Sequence, residues 1–373
     1  MLRPVLKSLT LGCVLAACAS TPKPTGSAAT TSGAEFTQPL SDRRGKLLAL
    51  HEILKRMEAS PVQYKVADLG EYKDAAPEQL IEKVWPWGSE PLDFPAVETG
   101  PDGKRSVRPY PGDAEVMALL EQAEVPYQAG RFEEAERIYA QALQLRPQCY
   151  PAMLSYGDAA LFKGDPASAL IRYEQATALN PDDHRSYFYR GTALRALGRM
   201  KEARAMYAWA LALRPSNPYL LDVLGNADER LGVRLQPAVL KPRALARQEG
   251  EAVAVYADMD HPSWLGFGMC KGFWLGDSSH RQEMLGTTGH PWTSLEETEC
   301  IAALATGYSR NREKQQDPAL ERLIAIIGDG YATELILYEV ASRKAPHIVL
   351  TLNEAQRQRM QAYVLEHVLA AQP

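Results

Sequence analysis

The chain has 373 residues, 41 lysines and arginines against 46 aspartates and glutamates, a formal net charge of −5 and 46% hydrophobic residues. This length suits two or three compact units. The mild acidity, with no long basic run, argues against nucleic acid as a partner, and no run of 18 or more apolar residues is present to form a membrane-spanning helix.

The N-terminus reads MLRPVLKSLTLGCVLAACAS. Arg3 and Lys7 form a positive flank, and Leu9 to Ala17 is an apolar stretch too short to cross a bilayer. Leu15-Ala16-Ala17-Cys18 resembles a bacterial lipobox. The resemblance implies that residues 1–17 are a lipoprotein signal peptide and that the Cys18 thiol is acylated. Ala19, not Asp, follows Cys18. By likeness to the usual sorting rule, this implies anchoring in the outer membrane, facing the periplasm of a bacterial envelope. An ordinary signal peptide with an incidental cysteine is the alternative. Residues 18–40 are rich in Pro, Thr, Ser and Gly. Such a segment cannot bury apolar surface and is expected to be a disordered tether. Two or more acyl chains anchor stably, so the membrane is an expected partner through lipid.

Residues 41–113 read as a helical and irregular region. In Ser41–Glu58, Leu47, Leu50, Ile53, Leu54 and Met57 recur at helical spacing. This predicts an amphipathic helix, docked on the protein's own body because acidic residues dilute its basic ones. Pro86 to Gly112 is dense in Pro and Gly and reads as an irregular connector.

From residue 114 to 236 the chain repeats with a 34-residue period, in units 116–149, 150–183 and 184–217. Gly130, Phe132, Ala135, Tyr139, Ala142 and Pro147 return as Gly164, Pro166, Ala169, Tyr173, Ala176 and Pro181. They return again as Gly198, Met200, Ala203, Tyr207, Ala210 and Pro215. A small residue precedes each set: Ala123, Gly157 and Gly191. The pattern predicts paired helices A and B. The small residue of A and the alanine of B sit where the two helices cross. Glycine makes the turn, the aromatic fills the gap to the next repeat, and proline ends helix B. Pro126 inside the first helix A predicts a kinked or shortened helix. Residues 218–232 read as a capping helix.

This sequence resembles the tetratricopeptide repeat, over about a third of the chain. The resemblance implies a right-handed superhelix whose helices A line a concave face, and hence an all-α fold with a mostly helical C-terminal domain. By the family's offsets that face presents Leu120, Glu124, Tyr127, Leu154, Asp158, Leu161, Arg185, Phe188, Thr192, Arg195, Asn226 and Glu229. The mixture of aliphatic, aromatic and charged types suits a peptide or partner helix. Arg185, Arg195 and Asn226 match the family's carboxylate clamp only in part, so a chaperone C-terminal tail is not the expected ligand. The alternative is a solvated groove, or one occupied by the protein's own flanking segments.

The C-terminal domain, residues 237–373, shows no repeat. Ala252–Asp258 reads as a short strand or a buried helical turn, and His261–Trp274 as a buried helix. Ser294 and Glu297 form an expected capping-box pair for the helix that follows. Asp317 as N-cap, Pro318 at the first helical position and Gly328 as stop bound another helix, and Asn353 caps the last one. Of five cysteines, Cys149, Cys270 and Cys300 remain after the lipobox region. Cys270–Cys300 is the preferred disulfide in an oxidising compartment, with three buried free thiols as the alternative.

Catalytic signatures are absent: no G-x-S-x-G, no phosphate-binding G-x4-G-K-[ST], no H-E-x-x-H. Gly266–Gly272 has the wrong spacing for a dinucleotide loop. His261, Cys270, His280, Glu283, His290, Glu296, Glu297, Glu299 and Cys300 are residue types that zinc uses, but their spacing fits no standard site. A Cys270–His280 or Cys270–His290 nucleophile pair is the only thiol chemistry on offer. No cofactor, metal or catalytic residue is therefore assigned. The reading is an envelope lipoprotein that holds a protein or peptide partner in its repeat groove, similar in plan to pilotins or adaptors of peptidoglycan enzymes. The alternative is an enzyme whose C-terminal domain performs hydrolysis or thiol chemistry.

Overall fold

The computed structural model describes residues 45–88, 91–225, 233–313 and 316–371. The signal peptide and tether readings, Cys18, Asn226, Glu229 and the end of the capping helix lie outside them. The fold is mostly helical.

Three helical hairpins form an arch. They are α3 (Ala114–Gln128) with α4 (Phe132–Leu145), α5 (Tyr150–Lys163) with α6 (Pro166–Leu179), and α7 (His184–Ala196) with α8 (Met200–Leu213). Short aspartate caps start several of them. Asp113 accepts from the Glu115 and Val116 N–H groups, Asp165 from Ser168, and Asp183 from Arg185. Gly164 sits at φ +97°, where the Asp165 N–H reaches back to the Ala160 carbonyl at 2.9 Å, and Gly130 and Gly198 repeat that turn. A Cβ at Gly157 would stand 2.5 Å from Cε1 of Tyr173, and one at Gly191 2.7 Å from Cε1 of Tyr207. The helix-B aromatic thus covers the small residue of its own helix A. Tyr173 also meets the next repeat, with its ring 5.4 Å from that of Tyr189. Despite Pro126, α3 is not shortened: its 15 residues exceed the 14 of α5 and the 13 of α7. A further helix, α9 (Pro218–Gly225), follows the arch and buries Leu220 and Leu224.

The flanking regions build a second body together. Helix α1 (Leu50–Glu58) buries Ile53 and Met57, and it packs on α10 (Ser263–Gly276). The region expected to be helical and irregular, 41–113, supplies three strands as well as α1 and the short α2 (Leu80–Val84). Strand β1 (Gln63–Asp68) pairs in parallel with β6 (Ala252–Ala257), Gln63 against Ala252, and β6 pairs antiparallel with β5 (Ala244–Glu249). Ala252–Asp258 is therefore a strand. Strands β2 (Pro95–Thr99) and β3 (Arg105–Pro109) form a hairpin inside the expected connector, and β4 (Val233–Leu235) pairs with β7 (Leu369–Ala371).

Helix α10 lies close on the sheet because glycine faces it. A Cβ at Gly268 would meet Val255 at 2.9 Å, and one at Gly272 would meet it at 2.7 Å. On its other side α10 packs on α12 (Ser294–Asn311), joined by the Cys270–Cys300 disulfide. The N-cap of α12 is Thr293, not Ser294: its hydroxyl accepts from the Glu296 N–H at 3.2 Å. Glu296 and Glu297 turn inward to other partners, which leaves no box with Ser294. Next come α11 (Ser278–Leu285), α13 (Pro318–Gly328), α14 (Ala332–Ile336, prolonged to Lys344) and α15 (Glu354–Tyr363). Asp317 and Asn353 cap α13 and α15. Helix α13 runs through Gly328, and the left-handed residue is Gly330. Asp182 ties the arch to the second body, since Arg105 of the hairpin and Arg357 of α15 both donate to it.

Candidate functional site

The concave side of the arch holds a cavity of about 260 Å³. Helix α3 gives it Tyr127, helix α5 gives Asp158, Leu161 and Phe162, and helix α7 gives Arg185, Phe188, Tyr189 and Thr192. Six of the expected groove residues, Tyr127, Asp158, Leu161, Arg185, Phe188 and Thr192, therefore share one cavity. Leu120 and Leu154 are buried in the cores behind it. Glu124 is buried and receives a hydrogen bond from Gln128 Nε2 at 2.6 Å. Arg195 is half-buried beside the Tyr207 hydroxyl rather than in the cavity lining.

The remaining walls were not legible from repeat offsets. Arg214, Asn217, Tyr219 and Leu220 close one end, and the chain's own Pro91, Leu92 and Asp93 line another side. That strap is fixed along its length. The Leu92 N–H donates to His347 Nε2 at 2.7 Å, and Asn180 Nδ2 donates to the Pro95 carbonyl at 2.9 Å. Phe94 adopts φ +46°, with its ring under the Arg185 guanidinium and edge-on to Tyr150. Part of the concave face is thus occupied by the protein itself. Density in Pro and Gly marked the segment as irregular, but nothing in it announced where it would lie.

Charge in the cavity is divided. Arg185 grips Asp183 by Nε at 3.0 Å and Nη2 at 2.7 Å. Burial pushes the Asp183 carboxyl up, but the charge and hydrogen bonds of Arg185 outweigh it and hold the pKa below the ordinary carboxylate range. His184 is kept neutral, its pKa lowered to about 3 chiefly by burial, and its Nε2 accepts from Asn217 Nδ2 at 3.0 Å. His347 is likewise lowered to about 4 by burial, as an acceptor of the Leu92 N–H must be. Asp158 behaves oppositely: burial raises it to about 7, against the Tyr173 hydroxyl that donates to its Oδ1 at 2.6 Å.

The polar cluster of the C-terminal domain is assembled into internal pairs. Lys271 reaches Glu296 at 2.8 Å and Glu297 at 2.6 Å, Trp85 Nε1 donates to Glu297, and His290 meets Glu296 at 3.0 Å. Glu299 accepts from Trp274 Nε1 at 2.7 Å and pairs with His280 at 3.0 Å. His261 pairs with Asp258, and Glu283 with Arg56. Among the described residues no group of three or more His, Cys, Asp or Glu side chains is placed to hold a metal ion. Cys270 is bonded to Cys300 and so carries no thiol to pair with His280 or His290 in this state.

Comparison with known proteins bears on the arch alone. Residues 120–171 and 157–218 match the family model of the tetratricopeptide repeat. Among solved structures, the chain is similar to the first such domain of Spaghetti (RPAP3) bound to an HSP90 peptide, with 24% identity and a TM-score of 0.29 over 30% of this chain and 88% of that one. It is similar to the first such domain of human RPAP3, with 25% identity and a TM-score of 0.30 over 32% and 94%. A third is the Yersinia enterocolitica type III secretion chaperone SycD in complex with a peptide of the translocator YopD, with 19% identity and a TM-score of 0.30 over 32% and 92%. With the 34-residue period, the glycine turns and the family match all falling on the same helices, the hairpins between residues 120 and 218 are tetratricopeptide repeats.

Proposed function

We propose that this protein is an interaction scaffold that holds a polypeptide partner against the concave face of its repeats, anchored to the bacterial envelope through Cys18. The observation that carries this reading is the cavity between α3, α5 and α7. It combines apolar walls at Leu161, Phe162 and Phe188 with polar groups at Asp158 and Thr192, the composition of a site that accepts side chains. The strap at Pro91–Pro95 narrows the groove, so the partner is held by anchor residues rather than along a whole helix. A role like that of a pilotin or an enzyme adaptor follows from the same plan, with recruitment as the activity and no catalytic residue.

The test is photo-crosslinking in living cells, with a photoreactive residue at Leu161 or, as a control, at Ile171, which is 55% exposed on helix α6. The reading expects a discrete adduct from position 161 and none from 171. Equal capture from both, or capture only from 171, overturns it.

A further inference from the structure

We propose that the cavity is a cation site: at Asp158 it takes a guanidinium or alkylammonium group on an aliphatic stem, as the partner's arginine or lysine side chain presents it. This rests on reading the groove as the partner-binding face. Asp158 is only 5% exposed, yet it lines the cavity. A buried carboxylate requires hydrogen bonds and a counter-charge. It has the Tyr173 hydroxyl on Oδ1. The influences on its charge are burial, that hydroxyl and the neighbouring Glu124, with no cation among them. Glu124, 6% exposed, is in the same position: Gln128 serves one oxygen, and Oε2 is buried without a partner. It lies one turn before Tyr127 on α3, the same helix face. Two buried acids thus stand side by side, and among the described residues no cation of the chain serves either of them.

The arginines of the cavity do not fill that role. Arg185 is engaged by both oxygens of Asp183 and by the Phe94 ring. Arg214 feels Arg185, Asp183 and Asp93, not Asp158. Tyr189 stands between the two ends and responds to both Asp158 and Arg185. The acidic end is walled by aromatic faces, with Tyr127 edge-on to Phe162 at 5.8 Å and Phe188 edge-on to Tyr189 at 5.7 Å. Aromatic faces attract a cation, most strongly out of water, and an aliphatic stem matches Leu161. An anionic side chain would meet two uncompensated carboxylates. A neutral one would fill the space and leave both acids as they are.

The experiment uses the full chain, with tyrosines and phenylalanines labelled for NMR, titrated with n-butylguanidinium, n-pentanol or valerate. The proposal expects butylguanidinium to shift Tyr127, Phe188 and Tyr189, with at least tenfold weaker binding of the other two probes and of butylguanidinium to Asp158→Asn. Equal binding of pentanol or valerate, or undiminished binding to a folded Asp158→Asn, overturns it. If Asp158→Asn does not fold, the carboxyl-carbon titration of Asp158 in the unaltered chain decides. A midpoint lowered by saturating butylguanidinium supports the proposal, and an unmoved midpoint defeats it. Partner capture through Leu161 without any butylguanidinium binding removes the cation assignment and leaves the groove reading intact. Loss of capture with binding retained removes the groove reading alone.

Discussion

The guanidinium of Arg185 lies 3.7 Å from the centroid of the Phe94 ring, and its other face of contact is the buried carboxylate of Asp183. The strap is therefore part of the packed protein: Phe94 is 7% exposed and belongs to the main core. Replacing Phe94 with Ala removes a buried aromatic and leaves Arg185 covered on one side only. We expect a loss of roughly 3–5 kcal/mol, the usual range for such a truncation, read from urea unfolding. A loss below about 1 kcal/mol means that the strap is not packed as described.

At Gly157 and Gly191 the rings of Tyr173 and Tyr207 leave no space for a Cβ. Alanine at either position should destabilise the arch by about 1–3 kcal/mol, as overpacking does. Ile171→Ala, at an exposed site, should change stability by no more than ~0.5 kcal/mol. Thermal midpoints of the three variants settle this. Similar midpoints for all three would contradict the packing.

The Cys270–Cys300 bond closes a loop with a sequence separation of 30 and is fully buried. In the chain-entropy account, a loop of this size stabilises by about 3–4 kcal/mol. Non-reducing peptide mapping of the protein should recover the two cysteines as one cross-linked species. The double serine variant should unfold at correspondingly lower urea. Free thiols at both positions would refute the pairing.

Asp158, raised to about 7 by burial, holds its proton in the folded state at pH values where the unfolded chain has released it. The folded state then binds more protons, so this group's contribution falls as pH rises from the ordinary carboxylate range to about 7. His184 and His347, lowered to about 3 and about 4 by burial, act in the opposite sense. Their contribution is present above the ordinary histidine pKa and is lost as pH falls towards those values. The comparison with Asp158→Asn isolates the acid: wild type should lose stability relative to the variant between pH 4.5 and 7, by up to about 1.4 kcal/mol per pH unit. A constant difference across that range would show that Asp158 ionises normally.

Cys18 should carry lipid. Cys18→Ala should move the protein from the membrane fraction to the soluble fraction and abolish incorporation of a labelled fatty acid. Unchanged fractionation and labelling would refute the anchor.

How far the sequence foretold this structure depends on the range of the contacts involved. The repeats were legible because each constraint is local. Gly157 and Tyr173 face each other across a single hairpin, and the spacing between them recurs. The caps at Asp317 and Asn353 were legible for the same reason, since each cap contacts N–H groups two or three residues away. The cavity was legible only on its helix-A side. Its other walls come from Pro91–Asp93 and Arg214, and the strap is held by His347, a partner remote in the chain. No periodicity encodes such a meeting. The glycines of α10 could be read in the sequence only as failing the spacing of a dinucleotide loop, because their reason lies in another element, the side chain of Val255 on β6. Glu296, Glu297 and Glu299 read as zinc-type residues at no standard spacing, with Glu297 also expected in a capping box. Lys271, Trp85 and Trp274, which bury them, come from elements distant in sequence.

The register of Gln63 with Ala252 also dictates an order of assembly. A chain that emerges N-terminus first presents the first strand of the sheet long before the strand that must receive it, and the whole arch emerges in between. Hairpins of helices close on themselves quickly because their contacts are near in sequence, whereas distant strand pairings are slow. The arch should thus be formed while Gln63–Asp68 still presents unpaired backbone groups, a template for wrong pairing. A polypeptide ending just after the repeats would keep that edge permanently open. Such a fragment should fold its helices and still aggregate through its N-terminal segment, unless that segment is removed as well.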